Sequence, residues 1–168
     1  MPLALLGCLF VAGVLVHNVE EALHLPGWSV DAGRWHSPVR PFVFRFAVVA
    51  FSILLVVCAI AAFVQGPGTL SAYLFTGCAL AMVLNVVLPH VAATIVMRRY
   101  MPGTATALLL NLPLGSWFLY RAATERFVRG STFVWAGPAV VLGVLSLIPV
   151  LFAIGRMFAR RDGEPPLA

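Results

Sequence analysis

The sequence predicts an all-α membrane protein, a single domain built as a bundle of about five transmembrane helices. Of its 168 residues, 61% are hydrophobic and only 10% are charged, whereas a soluble domain is about half apolar and about a quarter charged. The apolar residues form long runs, and a helix needs roughly 20 of them to cross a bilayer core. Short segments containing Pro, Gly or Arg separate these runs.

Each predicted helix corresponds to one apolar run. No basic segment precedes the first run, so we expect a retained helix and not a cleaved signal peptide. A basic pair and a Pro-Gly turn, RRYMPG, separate the third helix from the fourth. The last residues are polar and Pro-rich, which favours a disordered cytoplasmic tail. We predict helices at about 3–24, 41–65, 69–97, 103–121 and 132–156, within a domain of 1–156, and the tail at 157–168.

The charge pattern predicts an orientation. All 11 basic residues are Arg and lie near the ends of the predicted helices, which indicates membrane anchoring and not nucleic-acid binding. Eight lie on one side and three on the other. Because the cytoplasmic side is richer in Arg, we expect the N-terminus outside and the C-terminus in the cytoplasm of a bacterial plasma membrane. Trp28 and Trp35, in the connection 26–41, are expected to be interfacial anchors.

The first predicted helix ends in an unusual stretch, VLVHNVEEALHL at 14–25. At about 100° per residue, its four ionisable side chains fall within a stripe about 100° wide. They are His17, Glu20, Glu21 and His24. A charge at the bilayer centre costs about 2.5–3.5 kcal/mol, and adjacent carboxylates repel each other. A bound cation would remove both penalties, and imidazole with carboxylate is a common ligand set for zinc and non-haem iron.

The same stretch is also typical of a helix end at the membrane interface, where charges are tolerated. In that interpretation Arg40 or Arg45 pairs with the carboxylates of Glu20 and Glu21. Arg45 lies one turn inside the second predicted helix, and its guanidinium alternatively extends to the interface. The alignment of the four ionisable side chains favours the functional interpretation, because ionisable residues within membrane helices are functional by default.

A second candidate, His90, lies in the third predicted helix. It precedes Arg98 by eight residues, about 12 Å along a helix. His17 lies equally far from the end of its own helix, so we expect both imidazoles near the cytoplasmic face. Pro89 has no N–H and predicts a kink that deprives the Asn85 carbonyl of its helical partner. An ordinary buried histidine is the alternative for His90 taken alone.

These residues also resemble a known family, the HXXEE-motif family of small integral membrane proteins. The matching residues are HNVEE at 17–21, Trp28, Asn85, His90 and RRYMPG at 98–103, with the apolar run that follows to about 114. The resemblance implies a metal-binding membrane protein and, as a further expectation, an enzyme. It implies site roles for His17, Glu20, Glu21, Asn85 and His90. Pro89 departs from the family pattern, so Asn111 in the fourth helix is the alternative to Asn85.

The leading hypothesis is a metal-dependent enzyme, a hydrolase or an oxidase, that acts on a lipophilic substrate near the cytoplasmic face. His17, His90 and one of the two glutamates would hold one zinc or iron ion, and the other glutamate would act as general base. His24 would be a fourth ligand or a partner of a ligand. Only one Glu-x-x-His motif is present, which favours one metal over two. Three further residues are expected to line the binding cavity: Asn85, Asn111 and Arg45.

Two alternatives remain open. A buried glutamate could act as an acid in a metal-independent membrane isomerase or cyclase. The protein could instead be a binding or assembly module, with a structural metal or a network of glutamate and arginine. A transporter is disfavoured because the sequence shows no internal repeat. The expected partners are membrane lipid and a lipophilic small molecule, with no nucleic acid, and the sequence predicts no oligomeric state.

Overall fold

The computed structural model describes residues 1–33 and 37–161, with the side chains of residues 160 and 161 excepted. Within these ranges the chain forms five long helices and no strand. They are α1 (Leu3–Val30), α2 (Pro41–Gln65), α3 (Leu70–Met97), α4 (residues 104–124) and α5 (Gly130–Arg161). The predicted all-helical bundle is therefore confirmed.

Four of the five described helices, α1, α2, α3 and α5, are long and apolar enough to cross a membrane. The chain therefore has the composition and the helices of an integral membrane protein. The run predicted as the fourth span forms α4, which is not among those four. Asn111, Pro113 and Arg121 lie within this helix and reduce its apolar content. α4 also contains a π-type segment, Ala107–Asn111.

Two helices extend by more than one turn beyond the ends that the sequence predicts. α1 continues from the expected end at 24 through Pro26 to Val30. Its last turns are buried, since Leu25 and Trp28 pack with Phe44 and Met101 in an apolar cluster, which accounts for the additional helix. Trp28 is only 7% exposed and thus contributes to packing at a position predicted as an interfacial anchor. α5 continues to Arg161, into the predicted tail; residues 162–168 and Trp35 lie outside the described ranges.

The largest group of buried rings, here called the aromatic layer, joins the first four helices and the α4–α5 connection. It consists of Phe10, Phe63, Phe75, Phe118 and Phe127. Ring centroids of neighbouring pairs lie 5.0–6.4 Å apart, as between Phe75 and Phe118 at 5.0 Å. Glycines allow the helices to approach each other here; a Cβ on Gly115 would lie 2.7 Å from a Val83 methyl. Small residues at helix contacts are typical of membrane bundles, where close packing replaces the hydrophobic effect.

The second feature that determines the fold near the site is the interruption of α3. The π-type segment Val86–Val91 contains Leu88 in an extended conformation, with φ −126° and ψ 113°, followed by Pro89 in a cis peptide bond. The predicted kink is therefore present where proline removes a backbone donor. Beyond the kink, His90 is fully buried. It faces α1 about two turns along that helix from the aromatic layer.

Candidate metal centre

Three side chains from two helices meet at this level of the bundle. His17 and Glu21 lie one turn apart on α1, and His90 lies on the kinked part of α3. The Glu21 carboxylate oxygens lie 3.7 Å from His17 Nε2 and 3.4 Å from His90 Nε2. The two imidazole rings are nearly perpendicular, with centroids 4.8 Å apart. This set, called the candidate centre below, therefore directs two nitrogens and a carboxylate toward one another.

The separations fit one small cation. Zinc lies about 2.0–2.1 Å from nitrogen and oxygen ligands, so the ligand atoms of a tetrahedral site lie about 3.3 Å apart. The potential ligand atoms of the candidate centre all lie within 4.8 Å of one another. His17, Glu21 and His90 could therefore hold a metal ion after a small contraction. Both zinc and non-haem iron accept two imidazoles and a carboxylate.

Three of the four imidazole nitrogens of the candidate centre lack hydrogen-bond partners among the described residues. Both rings are fully buried. Among the described residues, His17 Nε2 and both nitrogens of His90 have no hydrogen-bond partner; the Pro102 carbonyl lies near the His90 ring without normal hydrogen-bond geometry. A buried polar atom without a partner costs about 1–3 kcal/mol. A bound cation would satisfy these lone pairs, so the donor set fits a metal ion.

His17 has a defined tautomer. Its Nδ1 lies 3.1 Å from the Gly103 carbonyl and 3.1 Å from Thr106 Oγ1. A carbonyl oxygen only accepts hydrogen bonds, so Nδ1 carries the proton and donates it there. Nε2 then has a free lone pair, and it is this atom that faces Glu21. A metal-binding histidine is typically oriented in this way by a carbonyl or carboxylate at its other nitrogen.

Gly103 closes the candidate centre at the start of α4. Its φ is +91°, a conformation that residues with a Cβ rarely adopt. A Cβ at this position would lie 2.7 Å from His17 Cε1, 2.8 Å from His90 Cε1 and 3.0 Å from Glu21 Cγ. The glycine therefore allows the backbone to lie directly against all three side chains. By sequence, the Pro-Gly pair belongs to the RRYMPG match of the resemblance and predicts a turn, but Gly103 was given no role in the site; membership of that match was a usable signal.

Glu20 has a different role from Glu21. Its Oε1 accepts hydrogen bonds from the Tyr100 hydroxyl (2.5 Å) and the Gly103 N–H (2.9 Å), and its Oε2 accepts one from Thr106 Oγ1 (2.7 Å). Three donors directed at two oxygens suit a carboxylate that holds the α3–α4 connection against α1. Tyr100 and Thr106 were missed by sequence reasoning, because neither residue type nor spacing identifies a hydrogen-bond donor to a distant helix.

These hydrogen bonds form a continuous chain from the surface to the candidate centre. Tyr100 is half exposed and donates to Glu20, which accepts from Thr106, whose oxygen lies beside His17 Nδ1. Partial burial and the hydrogen bond to Glu20 raise the pKa of the Tyr100 hydroxyl above its usual value. The hydroxyl therefore remains a donor at neutral and mildly alkaline pH.

Four residues predicted for the site lie elsewhere or make other contacts. His24 is exposed one turn beyond Glu20, and Arg45 is exposed and donates from Nε to the Ala22 carbonyl at 3.1 Å. Among the described ion pairs, none joins Arg45 to a carboxylate. Asn85 is half-buried at the end of the regular first part of α3, five residues before His90.

Asn111 lies deeper in the bundle. It is fully buried, and its side-chain oxygen and nitrogen have no hydrogen-bond partner among the described residues. The oxygen would lie 3.6 Å from a Cβ built on Gly13, one turn before His17 on α1. The π-type segment of α4 ends at this residue. π-Type turns are frequent at functional sites. The Asn111 amide lies beside Gly13, one turn along α1 from His17, and is therefore a buried polar group near the candidate centre.

Comparisons with known proteins identify the family of the chain. A family described as a protein of unknown function with HXXEE motif matches residues 8–118, which contain the whole candidate centre. The chain is also similar to the uncharacterized protein YrkK of Bacillus subtilis (strain 168), with 33% identity over 146 residues, 87% of this chain and 92% of the relative. No solved structure shows significant similarity. The resemblance inferred from the sequence is therefore confirmed: the chain belongs to the HXXEE-motif family.

Proposed function

We propose that this protein is a metal-dependent membrane enzyme, a hydrolase or an oxidase, that acts on a lipophilic substrate near the cytoplasmic face. One divalent zinc or iron ion would be bound by His17, Glu21 and His90. The observation that carries the proposal is the pair of fully buried imidazoles whose facing nitrogens lack hydrogen-bond partners and converge on one carboxylate. A metal bound there would act as a Lewis acid or activate a water molecule.

The two glutamates have separate parts in this proposal. Glu21 faces both imidazoles and is the carboxylate ligand. Glu20 accepts two hydrogen bonds from the α3–α4 connection and one from Thr106 in the first turn of α4. Its oxygens are thus less available as a general base, the role that the sequence suggested for one of the two. Glu20 and Thr106 instead keep the His17 ring oriented, with Nε2 directed toward Glu21.

The surroundings favour a lipophilic substrate. Beside the kink of α3, an open groove of about 460 Å³ lies in the outer surface of the bundle. Its lining is formed by six mostly apolar residues, Leu88, Pro89, Ala92, Ala93, Val96 and Met97. Leu88 and Val96 are exposed on the helix surface, which in a membrane faces lipid. Pro89 and Ala92, which line this groove, are one and two residues from His90 in the sequence. A hydrocarbon chain in the groove would therefore lie against the segment of α3 that carries His90.

Metal analysis of the detergent-purified protein tests the proposal. We expect about one zinc or iron per chain, and loss of the metal in His17→Ala, His90→Ala and Glu21→Gln. His24→Ala is the matched control, since this histidine lies on the same helix but is exposed and outside the candidate centre. Absence of metal from the native protein, or unchanged occupancy in all three variants, would contradict the proposal.

A structural metal is the second candidate, and one observation favours it. The candidate centre joins α1 to α3, and Gly103 and Thr106 connect it to α4. A bound cation would therefore also stabilise the packing of these three helices. A purely structural ion predicts a lower melting temperature after chelation and no turnover on any lipid substrate. An enzyme predicts turnover that disappears on chelation and returns with metal.

A further inference from the structure

The polar stripe of α1 continues beyond the candidate centre and forms one wall of a groove. This groove has a volume of about 750 Å³. Small-molecule sites usually have volumes of about 300–1,000 Å³. The stripe continues because α1 extends to Val30 and keeps its helical spacing. Its lining comes from Glu20, His24, Gly27 and Trp28 of α1, from Asp31 at the C-cap of that helix, and from Arg99, Tyr100 and Pro102 of the α3–α4 connection.

The groove presents charges of both signs. Arg99 Nη2 lies 3.5 Å from Asp31 Oδ2, and both side chains remain substantially exposed, by 44% and 70%. The Arg99 guanidinium carbon also lies 6.0 Å from the centroid of the Trp28 ring. Glu20 is already occupied by its three donors. Arg99 and Asp31 thus pair with each other, and because both side chains remain exposed in a groove bordered by Trp28 and Tyr100, a ligand of mixed charge can reach both of them.

The position of the groove identifies the class of molecule. It lies at the ends of α1 and α3, where membrane helices meet the headgroup region of the bilayer. The adjacent surface of α1 is apolar, with Val19, Leu23 and Val30 exposed by 57–65%. A ligand that occupies both surfaces has a charged head and hydrocarbon chains. An accessible cation beside an accessible carboxylate is complementary to a head that carries both a phosphate and an ammonium group.

We propose that this groove binds the headgroup of a zwitterionic, amine-bearing phospholipid. Arg99 binds the phosphate, Asp31 binds the ammonium group, and the acyl chains lie along the apolar face of α1. The bound head lies against Glu20 and Tyr100, on the outer side of the hydrogen-bonded layer that covers the candidate centre. The inference deepens the proposed function by naming its substrate class, and it rests on that function only for the claim that the bound lipid is a substrate.

Native mass spectrometry of delipidated protein tests the binding directly. The protein is mixed with equal amounts of phosphatidylethanolamine and phosphatidylglycerol that have identical acyl chains. We expect the phosphatidylethanolamine adduct to exceed the phosphatidylglycerol adduct by about threefold to fivefold, the range set by partly exposed ion pairs. Asp31→Asn should remove this preference, and Arg99→Gln should weaken the binding of both lipids.

Arg98→Gln is the matched control, because it removes the same charge from the neighbouring residue, which is exposed and does not line the groove. Equal or stronger binding of phosphatidylglycerol by the native protein would overturn the proposal, since general attraction of anionic lipid to arginine would explain it. A preference for phosphatidylethanolamine that survives both groove variants would overturn it as well. Metal content measured on the same samples separates this outcome from a failure of the proposed function, because the groove variants leave the candidate centre intact.

Discussion

The aromatic layer and the candidate centre lie in the same bundle, about two helical turns apart along α1, and they are held in different ways. In the aromatic layer, rings from several helices fill space against one another, with centroids 5.0–6.4 Å apart. In the candidate centre, hydrogen bonds to the Gly103 carbonyl and Thr106 Oγ1 orient the His17 ring. The comparison shows that packing brings the helices together, whereas Gly103 and the first turn of α4 set the direction of one reactive group.

Glycine marks the same difference. Gly7 and Gly115 let helices approach in and near the aromatic layer, where an added Cβ would meet the packed side chains of Phe63 and Val83 at 2.5 and 2.7 Å. At Gly103 the Cβ would meet the side chains of His17, His90 and Glu21, and the backbone itself has φ of +91°. A substitution at the first two sites therefore disturbs packing. A substitution at Gly103 would displace the potential metal ligands and strain the backbone at the same time. It is therefore the most direct test of the difference between the two regions.

Gly103→Ala is expected to have the largest effect. The new methyl would push His17 and His90 apart and strain the left-handed backbone by about 1–2 kcal/mol. We expect metal affinity to fall more than about 100-fold, because two of the three ligands lose their geometry. The measurement is metal stoichiometry after dialysis against a chelator series.

Gly143→Ala is the control for this change, since a Cβ built on Gly143 in α5 meets nothing within 4 Å beyond its own helix and its chain neighbours. It should retain the native metal affinity, with a melting temperature no lower than that of the native protein because alanine favours a helix. If Gly103→Ala also retained native affinity, the connection would not be what directs the ligands, and the comparison drawn above would fail.

Phe118→Ala is expected to lower the stability of the protein while leaving its metal affinity unchanged. Phe118 is fully buried and contacts Phe10, Phe63, Phe75 and Phe127. Phe→Ala costs about 3–5 kcal/mol in soluble cores. In a membrane part of that cost disappears, because lipid is as apolar as the protein interior, so we expect about 2–3 kcal/mol.

Unfolding in mixed detergent measures the free energy of unfolding of Phe118→Ala, and elemental analysis of the folded variant measures its metal content. Phe42→Ala, at a position 40% exposed on α2, should change stability by much less. Loss of metal from folded Phe118→Ala would show that the aromatic layer and the candidate centre are one unit and not two.

Thr106→Val tests the hydrogen bonds that orient His17. The substitution preserves shape but removes the donor to Glu20 Oε2 at 2.7 Å and the oxygen 3.1 Å from His17 Nδ1. Changes to such partners of metal ligands typically lower affinity about 10–100-fold, and we expect the lower end because the Gly103 carbonyl still accepts from Nδ1. Thr106→Ser should restore affinity, and Thr124→Val, at an exposed position of the same helix, should leave it unchanged. An equal loss in Thr106→Ser would assign the effect to packing.

The same comparison explains how much the sequence could predict. Apolar runs identified the helices, since each helix needs a continuous apolar stretch to lie in a bilayer. Helical spacing and equal depth identified His17, Glu21 and His90, because residues one turn apart share a face and depth follows from distance to a helix end. Which of two adjacent glutamates faces the imidazoles could not be predicted, since it depends on where the donors of another segment lie.

The missed features all depend on tertiary contacts. Pro26 suggested that α1 ends early, yet the helix continues because Leu25 and Trp28 are buried against other elements. His24 shares the helical stripe but lines the groove and not the candidate centre, because it lies one turn beyond Glu20 toward the exposed end of α1. Gly103 is an ordinary turn glycine by sequence. Its role appears only when the turn is folded back against α1.

Tyr100→Phe is expected to have the smallest effect, and it tests whether the exposed end of the hydrogen-bond chain contributes to metal affinity. It removes one donor to Glu20, at 2.5 Å, while Gly103 N–H and Thr106 remain. Water can replace the lost hydroxyl at this half-exposed position, so we expect metal affinity to fall only about twofold to fivefold, less than for Thr106→Val. Because the pKa of Tyr100 is raised by burial and by Glu20, the hydroxyl stays protonated, and the difference from the native protein should be constant across neutral and mildly alkaline pH. Tyr120→Phe, on the exposed face of α4, should show no loss. A loss for Tyr100→Phe that matched Thr106→Val would mean that the surface end of the hydrogen-bond chain, and not its buried end, orients His17.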